Sequence, residues 1–231
     1  MFTLYGLNTP NVYKVTICLE EMGLPYTLEP IDVRSGKQFD SFIVEMNPNA
    51  KIPILYDPET DITISESNAI LHYLAEKTGQ FFPLEKTERA KAMELLFFQA
   101  ASIGPLFGQR AHFAFHAGDN KNSDNNNDYA LERYSKEGER LYGVMDEYLS
   151  RSGKWFLNSY SIVDMAVFGW VHTAVHMGFG TAEYSYLDTW FSTMKERPAV
   201  MKGVSTPDIL PTFPEPKRPP SSAPVSMRAS Q

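Results

Sequence analysis

A proline stands inside what otherwise reads as an apolar strand, Lys51-Ile52-Pro53-Ile54-Leu55. Proline donates no main-chain hydrogen bond, so a sheet tolerates it only where the ladder is interrupted. The backbone of Ile52 is then free for another partner. A short hairpin later, Ser65-Glu66-Ser67-Asn68-Ala69-Ile70 opens a helix. Glu66 and Ser67 set a carboxylate and a hydroxyl beside helix N–H groups that have no intrahelical acceptor. A small peptide-like molecule carrying both an ammonium and a carboxylate suits that combination.

The elements around this stretch follow from hydrophobic period and turn chemistry. Met1 to Leu7 reads as a short buried strand. The turn Asn8-Thr9-Pro10 leads to an amphipathic helix with Val12, Val15, Leu19 and Met22 on one face, ended by Gly23 and Pro25. Tyr26 through Ile31 and Val33 reads as a second strand, and Gln38 to Met46 as a short helix. The strand-helix-strand unit makes the first two strands parallel. Ile54 to Tyr56 and Ile62 to Ile64 flank the turn Asp57-Pro58-Glu59-Thr60-Asp61 as an antiparallel hairpin, and Glu66 to Lys77 closes the unit as a helix.

After Gly79 only helical periods remain. Thr87 onward is helical until Gly104-Pro105 interrupts it, and Leu106 to Ala117 resumes the period. Residues 118–128 form a polar, Asn-rich loop. A long amphipathic helix follows over Tyr129 to Leu149. Ser161-Ile162-Val163-Asp164 has the form of a capping box, and Tyr186 to Arg197 gives a last helix stopped by Pro198. The expected organisation is an α/β domain at 1–78, a linker at 79–87, an all-α domain at 88–206 and a Pro- and Ser-containing tail at 207–231.

Composition excludes several function classes. With 231 residues, 43% apolar and 21% charged, the chain is ordinary for a water-soluble protein. A net charge of −7 with no basic stripe argues against nucleic-acid and anionic-membrane partners. The first residues lack a signal peptide's basic and long apolar regions. The one cysteine, Cys18, allows neither an internal disulfide nor a cysteine-based metal site, and a cytoplasmic location is expected. His172 and His176 have the i,i+4 spacing of helical metal ligands, but no acidic zincin pattern accompanies them and no metal is expected.

With these elements in place, the chain resembles the cytosolic glutathione transferases: a thioredoxin-like α/β domain with a proline before its third strand, followed by a helical bundle. Ile52-Pro53, Glu66-Ser67 and the Ser161-to-Asp164 box carry the resemblance from residue 1 to about 205. Thr9-Pro10-Asn11, Gly36-Lys37-Gln38-Phe39, Asn47 to Pro53, Gly108 to Phe113 and Glu132-Arg133-Tyr134 are similar to two branches, the bacterial nu class and the fungal nitrogen-regulator-like transferases. The resemblance implies a cis Pro53, an Ile52 main chain that pairs with the cysteinyl part of glutathione, and a γ-glutamyl end held by Glu66 and Ser67. It places Gln38 and Lys51 near the glycyl carboxylate. It also implies a homodimer. Left to themselves, Lys51 reads equally as a surface lysine and Ser67 as a plain helix cap.

The turn that carries the cysteines of a thioredoxin here reads Thr9-Pro10-Asn11 and holds no thiol, while Cys18 falls on or near the apolar side of the first helix. The reactive sulfur must therefore come with glutathione, reduced or oxidised. A free thiol ionises near about 8.5, and lowering that by two units takes about 2.7 kcal/mol of preferential thiolate stabilisation. A helix N-terminus supplies about 0.3–1 kcal/mol, up to about 2 when partly buried. The Thr9 hydroxyl and Asn11 are the expected donors of the remainder, with Tyr5 as their rival. A site that stabilises thiolate without a base suits thiol–disulfide exchange. A small disulfide is thus the expected second substrate, with an electrophile for conjugation, or regulation without catalysis, as alternatives. Arg133 matches a position that meets a second glutathionyl unit, or else pairs with Glu137 on its helix. Phe107, His112, Phe113 and Tyr134 are candidates for the second-substrate wall or for core.

Overall fold

The computed structural model describes residues 1–116 and 127–206. Most of the Asn-rich loop and the whole 207–231 tail lie outside the described residues. Four strands, β1 (Phe2–Gly6), β2 (Tyr26–Pro30), β3 (Ile54–Asp57) and β4 (Ile62–Ser65), form one sheet in the order β2-β1-β3-β4. β1 and β2 run parallel, as the strand-helix-strand pattern requires, while β3 is antiparallel to both β1 and β4. Phe2 faces Tyr26 and Gly6 faces Pro30, and the Gly6 carbonyl takes one last bond from the Ile31 N–H at 3.0 Å, after which β1 offers no further partner. That is why it stops short of the expected Val33.

The helices are α1 (Pro10–Glu21), α2 (Ser41–Met46), α3 (Ser67–Thr78), α4 (Lys86–Phe98), α5 (Gly104–Ala111), α6 (Asp128–Ser152), α7 (Ile162–His176), α8 (Ser185–Lys195) and α9 (Pro198–Val204). The helix expected from Gln38 is divided. Lys37–Phe39 is a 3₁₀ turn, and extended Asp40 (φ −60°, ψ 141°) separates it from α2. Gly104-Pro105 does not break the helical path. A π turn over Gln99–Ile103 carries α4 into α5, with the Gly104 N–H reaching back to the Gln99 carbonyl, and Pro105 sits in the first turn of α5. Pro198 opens α9 rather than merely ending α8, because proline is well suited to a first helical position.

Helix α1 is the centre of the molecule. Every residue from Val12 to Leu19 is buried, because α3, α7 and α9 all pack on it. Two glycines permit this approach. A Cβ on Gly169 would lie 2.5 Å from the Pro10 carbonyl oxygen, and one on Gly203 would lie 2.6 Å from the Ile17 nitrogen. One hydrophobic cluster runs from Leu4, Val15 and Leu71 through Met145 and Phe168 to Trp190. The Ser161 box forms as expected. The Ser161 hydroxyl accepts from the Val163 N–H at 3.2 Å, and the fully buried Asp164 accepts from Ser161 N, Phe156 N and Trp190 Nε1 at 2.9–3.2 Å. Burial lifts the Asp164 carboxyl to about 6. Among the described residues no helix is long and apolar enough to cross a membrane.

Candidate functional site

The site collects where the N-termini of α1 and α3 meet beside the turn before β3. Ile52-Pro53 is the cis peptide bond that the resemblance implies. Among the described residues, neither the N–H nor the C=O of Ile52 has a backbone partner, so both remain available beside buried Pro53. Lys51 is exposed, and its carbonyl accepts from Asn47 Nδ2 at 2.8 Å, which braces the turn. Gln38 lies in the 3₁₀ turn with its Oε1 buried and unpartnered.

Glu66 precedes α3 with φ 68° and ψ 108°, a left-handed conformation that costs a non-glycine residue on the order of 1 kcal/mol or more. That backbone sets the exposed Glu66 carboxylate beside the free first turn of α3. Ser67 is the first residue of α3, and its hydroxyl caps nothing. It accepts a hydrogen bond from Lys14 Nζ at 3.1 Å and lies 3.5 Å from Asn11 Oδ1.

Thr9 is extended (φ −129°, ψ 155°) just before Pro10, and its hydroxyl makes no capping bond. Asn11 is half-buried, and its Oδ1 accepts from Trp170 Nε1 at 2.8 Å. The indole orients the amide, so the Nδ2 end is the one presented as a donor. Trp170 reaches Asn11 across the close contact at Gly169, and its ring also lies within 3.3 Å of where a Cβ on Gly104 or Gly108 would stand. Tyr5, the rival sulfur contact, packs its ring edge-on against Phe42 of α2 at 5.7 Å. Cys18 is fully buried and in contact with Met22 Sδ, and burial drives its thiol pKa far up, so it is no nucleophile.

The residues expected to face a second substrate separate into two groups. Phe107 is 4% exposed and packs between Tyr142 and Phe179, at 5.2 and 5.9 Å, so it joins the core rather than a wall. Phe113 stacks on Tyr134 at 5.6 Å, and exposed His112 lies edge-on to Phe113. Tyr134 and Arg133 line a cleft of about 730 Å³ between α5 and α6, together with Leu106, Tyr129 and Lys136. Arg133 does not form the alternative pair with Glu137, which is taken by Arg140 at 2.7 and 2.9 Å. His172 and His176 lie 4.8 Å apart among aromatic rings, and burial lowers the His172 pKa to about 4.

The chain as a whole is similar to known proteins. Residues 9–77 match the N-terminal domain of glutathione S-transferases. Over 204 residues the chain is 37% identical to the disulfide-bond oxidoreductase YfcG of Escherichia coli K12, covering 86% of this chain and 92% of that protein. The chain belongs to the glutathione transferase family. A solved glutathione transferase of Burkholderia graminis, with two glutathione molecules bound per subunit, superposes with a TM-score of 0.81 at 35% identity, over 89% of this chain and 88% of that one. Yeast Ure2p in complex with glutathione gives 0.77 at 27% identity, over 88% and 92%. The resemblance to the bacterial branch is thus found in sequence and in structure, and that to the nitrogen-regulator-like branch in structure.

Four side chains of the site escape a reading of the sequence: Lys14, Asn68, Gln99 and Trp170. Lys14 Nζ donates to Ser67 Oγ, to Asn68 Oδ1 at 3.2 Å and to Gln99 Oε1 at 2.5 Å. Asn68 Nδ2 in turn donates to Gln99 Oε1 and to the Leu96 carbonyl. The available signal is the single charge in an otherwise uncharged run from Pro10 to Leu19.

Proposed function

We propose that the protein is a glutathione-dependent disulfide-bond oxidoreductase. The observation that carries this reading is the absence of any accessible protein thiol, Cys18 being fully buried, beside an uncommitted Thr9 hydroxyl and the tethered Asn11 amide at the start of α1. Glutathione fits the residues present. The free Ile52 N–H and C=O suit strand-like pairing with its cysteinyl unit. Glu66 suits the ammonium and Ser67 the carboxylate of the γ-glutamyl end. The buried, unpartnered Gln38 Oε1 suits a ligand N–H, leaving its Nε2 and exposed Lys51 for the glycyl carboxylate.

Glutathione, when bound, would supply the nucleophilic sulfur, as a thiolate, for exchange with a substrate disulfide whose leaving sulfur is protonated by water. The protein's part is to hold that thiolate. The Thr9 hydroxyl and Asn11 Nδ2 donate to it at the N-terminus of α1, where the helix dipole adds to the effect. Neither group accepts a proton at neutral pH, so they stabilise an anion without acting as a base. Arg133, free of ion pairs among the described residues, faces the anionic half of a glutathionyl disulfide across the α5–α6 cleft.

Two copies associate in this reading through a second cleft of about 550 Å³, built by α3 and α4 and lined by Ala69, His72, Met93 and Leu96, with Phe97 67% exposed at its edge. A Phe97→Asp change gives a monomer in sedimentation equilibrium if that face is the contact. The function itself is tested by steady-state reduction of a small disulfide with glutathione, using wild type and Cys18→Ala. Equal turnover by both is expected. Normal glutathione binding without turnover refutes the proposal, and conjugation of a chloronitroarene in its place favours a transferase.

A further inference from the structure

Lys14 lies under the floor of the site and is 2% exposed. Its ammonium meets three neutral oxygens, on Ser67, Asn68 and Gln99, and among the described residues it has no carboxylate within ion-pair distance. A buried cation without a counter-ion is costly, and an apolar side chain of the same shape would fill the space at less cost. The fold nevertheless accommodates it. The stem passes Gly169, where a Cβ would stand 3.2 Å from Lys14 Cγ.

The consequence falls on Ser67. A hydroxyl has one proton and two lone pairs, and Lys14 engages a lone pair. The proton must point elsewhere. Among the described residues the hydroxyl's other partner is Asn11 Oδ1, to which it donates only over a long 3.5 Å and which already accepts from Trp170 at 2.8 Å. Ser67 is therefore held as a donor facing the site at the first turn of α3, where the helix N–H groups are also unpaired.

We propose that Lys14 is a positioning residue for the anionic end of the ligand: it fixes Ser67 as a donor to a carboxylate and supplies the positive charge that this carboxylate meets. The inference rests on the glutathione reading and on its use of Ser67. Binding then moves a proton as well. Burial lowers the Lys14 pKa to about 7 in the free protein, opposed only by the field of Glu66. Around Lys14 the π turn presents neutral Gln99, α3 presents Ser67 and Asn68, and α7 presents Gly169, while the titratable Asp164 and His172 of α7 are engaged on Trp190 and among aromatic rings and the one charged side chain of α9, Lys202, is on Glu20. A carboxylate docked at Ser67 favours the ammonium, so the complex takes up a proton from solvent.

S-methylglutathione provides the test, because its sulfur cannot ionise. Calorimetric titration of the whole protein in two buffers of different ionisation enthalpy reads the proton uptake directly. About half a proton is expected at pH 7, where an ordinary α-amino group of pKa about 7.7–8.0 is already mostly protonated. Uptake falls to near zero at pH 5.5. Lys14→Met is expected to bind about tenfold or more weakly and to lose the uptake at pH 7. Lys14→Arg, whose charge does not titrate, keeps affinity within a few-fold and also loses the uptake. Wild-type binding with no buffer dependence at pH 7 overturns the proposal, even if neither variant folds. Unchanged affinity or retained uptake in Lys14→Met also overturns it. If wild type fails to bind S-methylglutathione at all, the glutathione reading itself falls.

Discussion

Replacing Asn11 with alanine tests how the site lowers a thiol pKa. The Trp170 indole anchors Asn11 Oδ1 at 2.8 Å, which leaves Nδ2 as the end that donates to a sulfur. A hydrogen bond to a charged acceptor is worth about 1.5–3 kcal/mol. Since one pKa unit corresponds to about 1.36 kcal/mol, its loss raises the pKa of the bound thiol by about 1–2 units. The helix N-terminus survives the substitution and retains its contribution of about 0.3–1 kcal/mol, so the thiol stays somewhat below its free value. Ultraviolet absorbance of the thiolate, followed through a pH titration of the glutathione complex, measures the shift. Trp170→Phe removes only the tether and is expected to give a smaller rise, about 1 unit or less. The reasoning is refuted if Asn11→Ala leaves the thiolate pKa in place, or if Tyr5→Phe moves it further than Asn11→Ala does.

Further outcomes concern stability. In the ligand-free protein the Lys14 pKa is held down to about 7, whereas the unfolded chain titrates near 10.5. Between these values the unfolded chain binds more protons, so stability rises with pH across that window. Lys14→Met flattens the rise, which urea midpoints at pH 7 and 9.5 would record. Asp164→Ala strands three buried N–H donors and is expected to lower stability by about 3–5 kcal/mol in urea denaturation. Gly169→Ala places a Cβ 2.5 Å from the Pro10 carbonyl oxygen and forces α7 away from α1. A loss of about 1–3 kcal/mol is expected, with a raised thiolate pKa in the complex because Trp170 moves with α7.

How much of this could be read in advance varies with the kind of signal. The parallel β1–β2 pair, the hairpin, the free backbone at Ile52 and the Ser161 box each depend on a local pattern, and each is legible because hydrophobic period and turn chemistry act over a few residues. The division of the Gln38–Met46 helix and the continuity through Gly104-Pro105 depend on single backbone angles and on a π turn, which composition does not encode. Phe107 was equally compatible with a wall and with the core, and only the packing of Tyr142 and Phe179 decides between them. Lys14 shows the limit most clearly. A lysine on an amphipathic helix ordinarily faces water. Here α3, α7 and α9 enclose α1 on all sides, so its nominally polar face is interior as well. The partners that make this bearable, Asn68 and Gln99, lie 54 and 85 residues away in the chain. The Asn11–Trp170 contact spans 159 residues.

In the proposed function the reactive sulfur belongs to the ligand and is held by Thr9 and Asn11. A crystal structure of the protein soaked with oxidised glutathione tests it most directly. One glutathionyl unit is expected along Ile52, Glu66 and Ser67 with its sulfur within hydrogen-bond distance of Asn11 Nδ2 or the Thr9 hydroxyl, and the second unit in the cleft beside Arg133. A disulfide lying against Tyr5 with Asn11 and Thr9 out of reach, or a ligand bound away from the α1 and α3 N-termini, would contradict it.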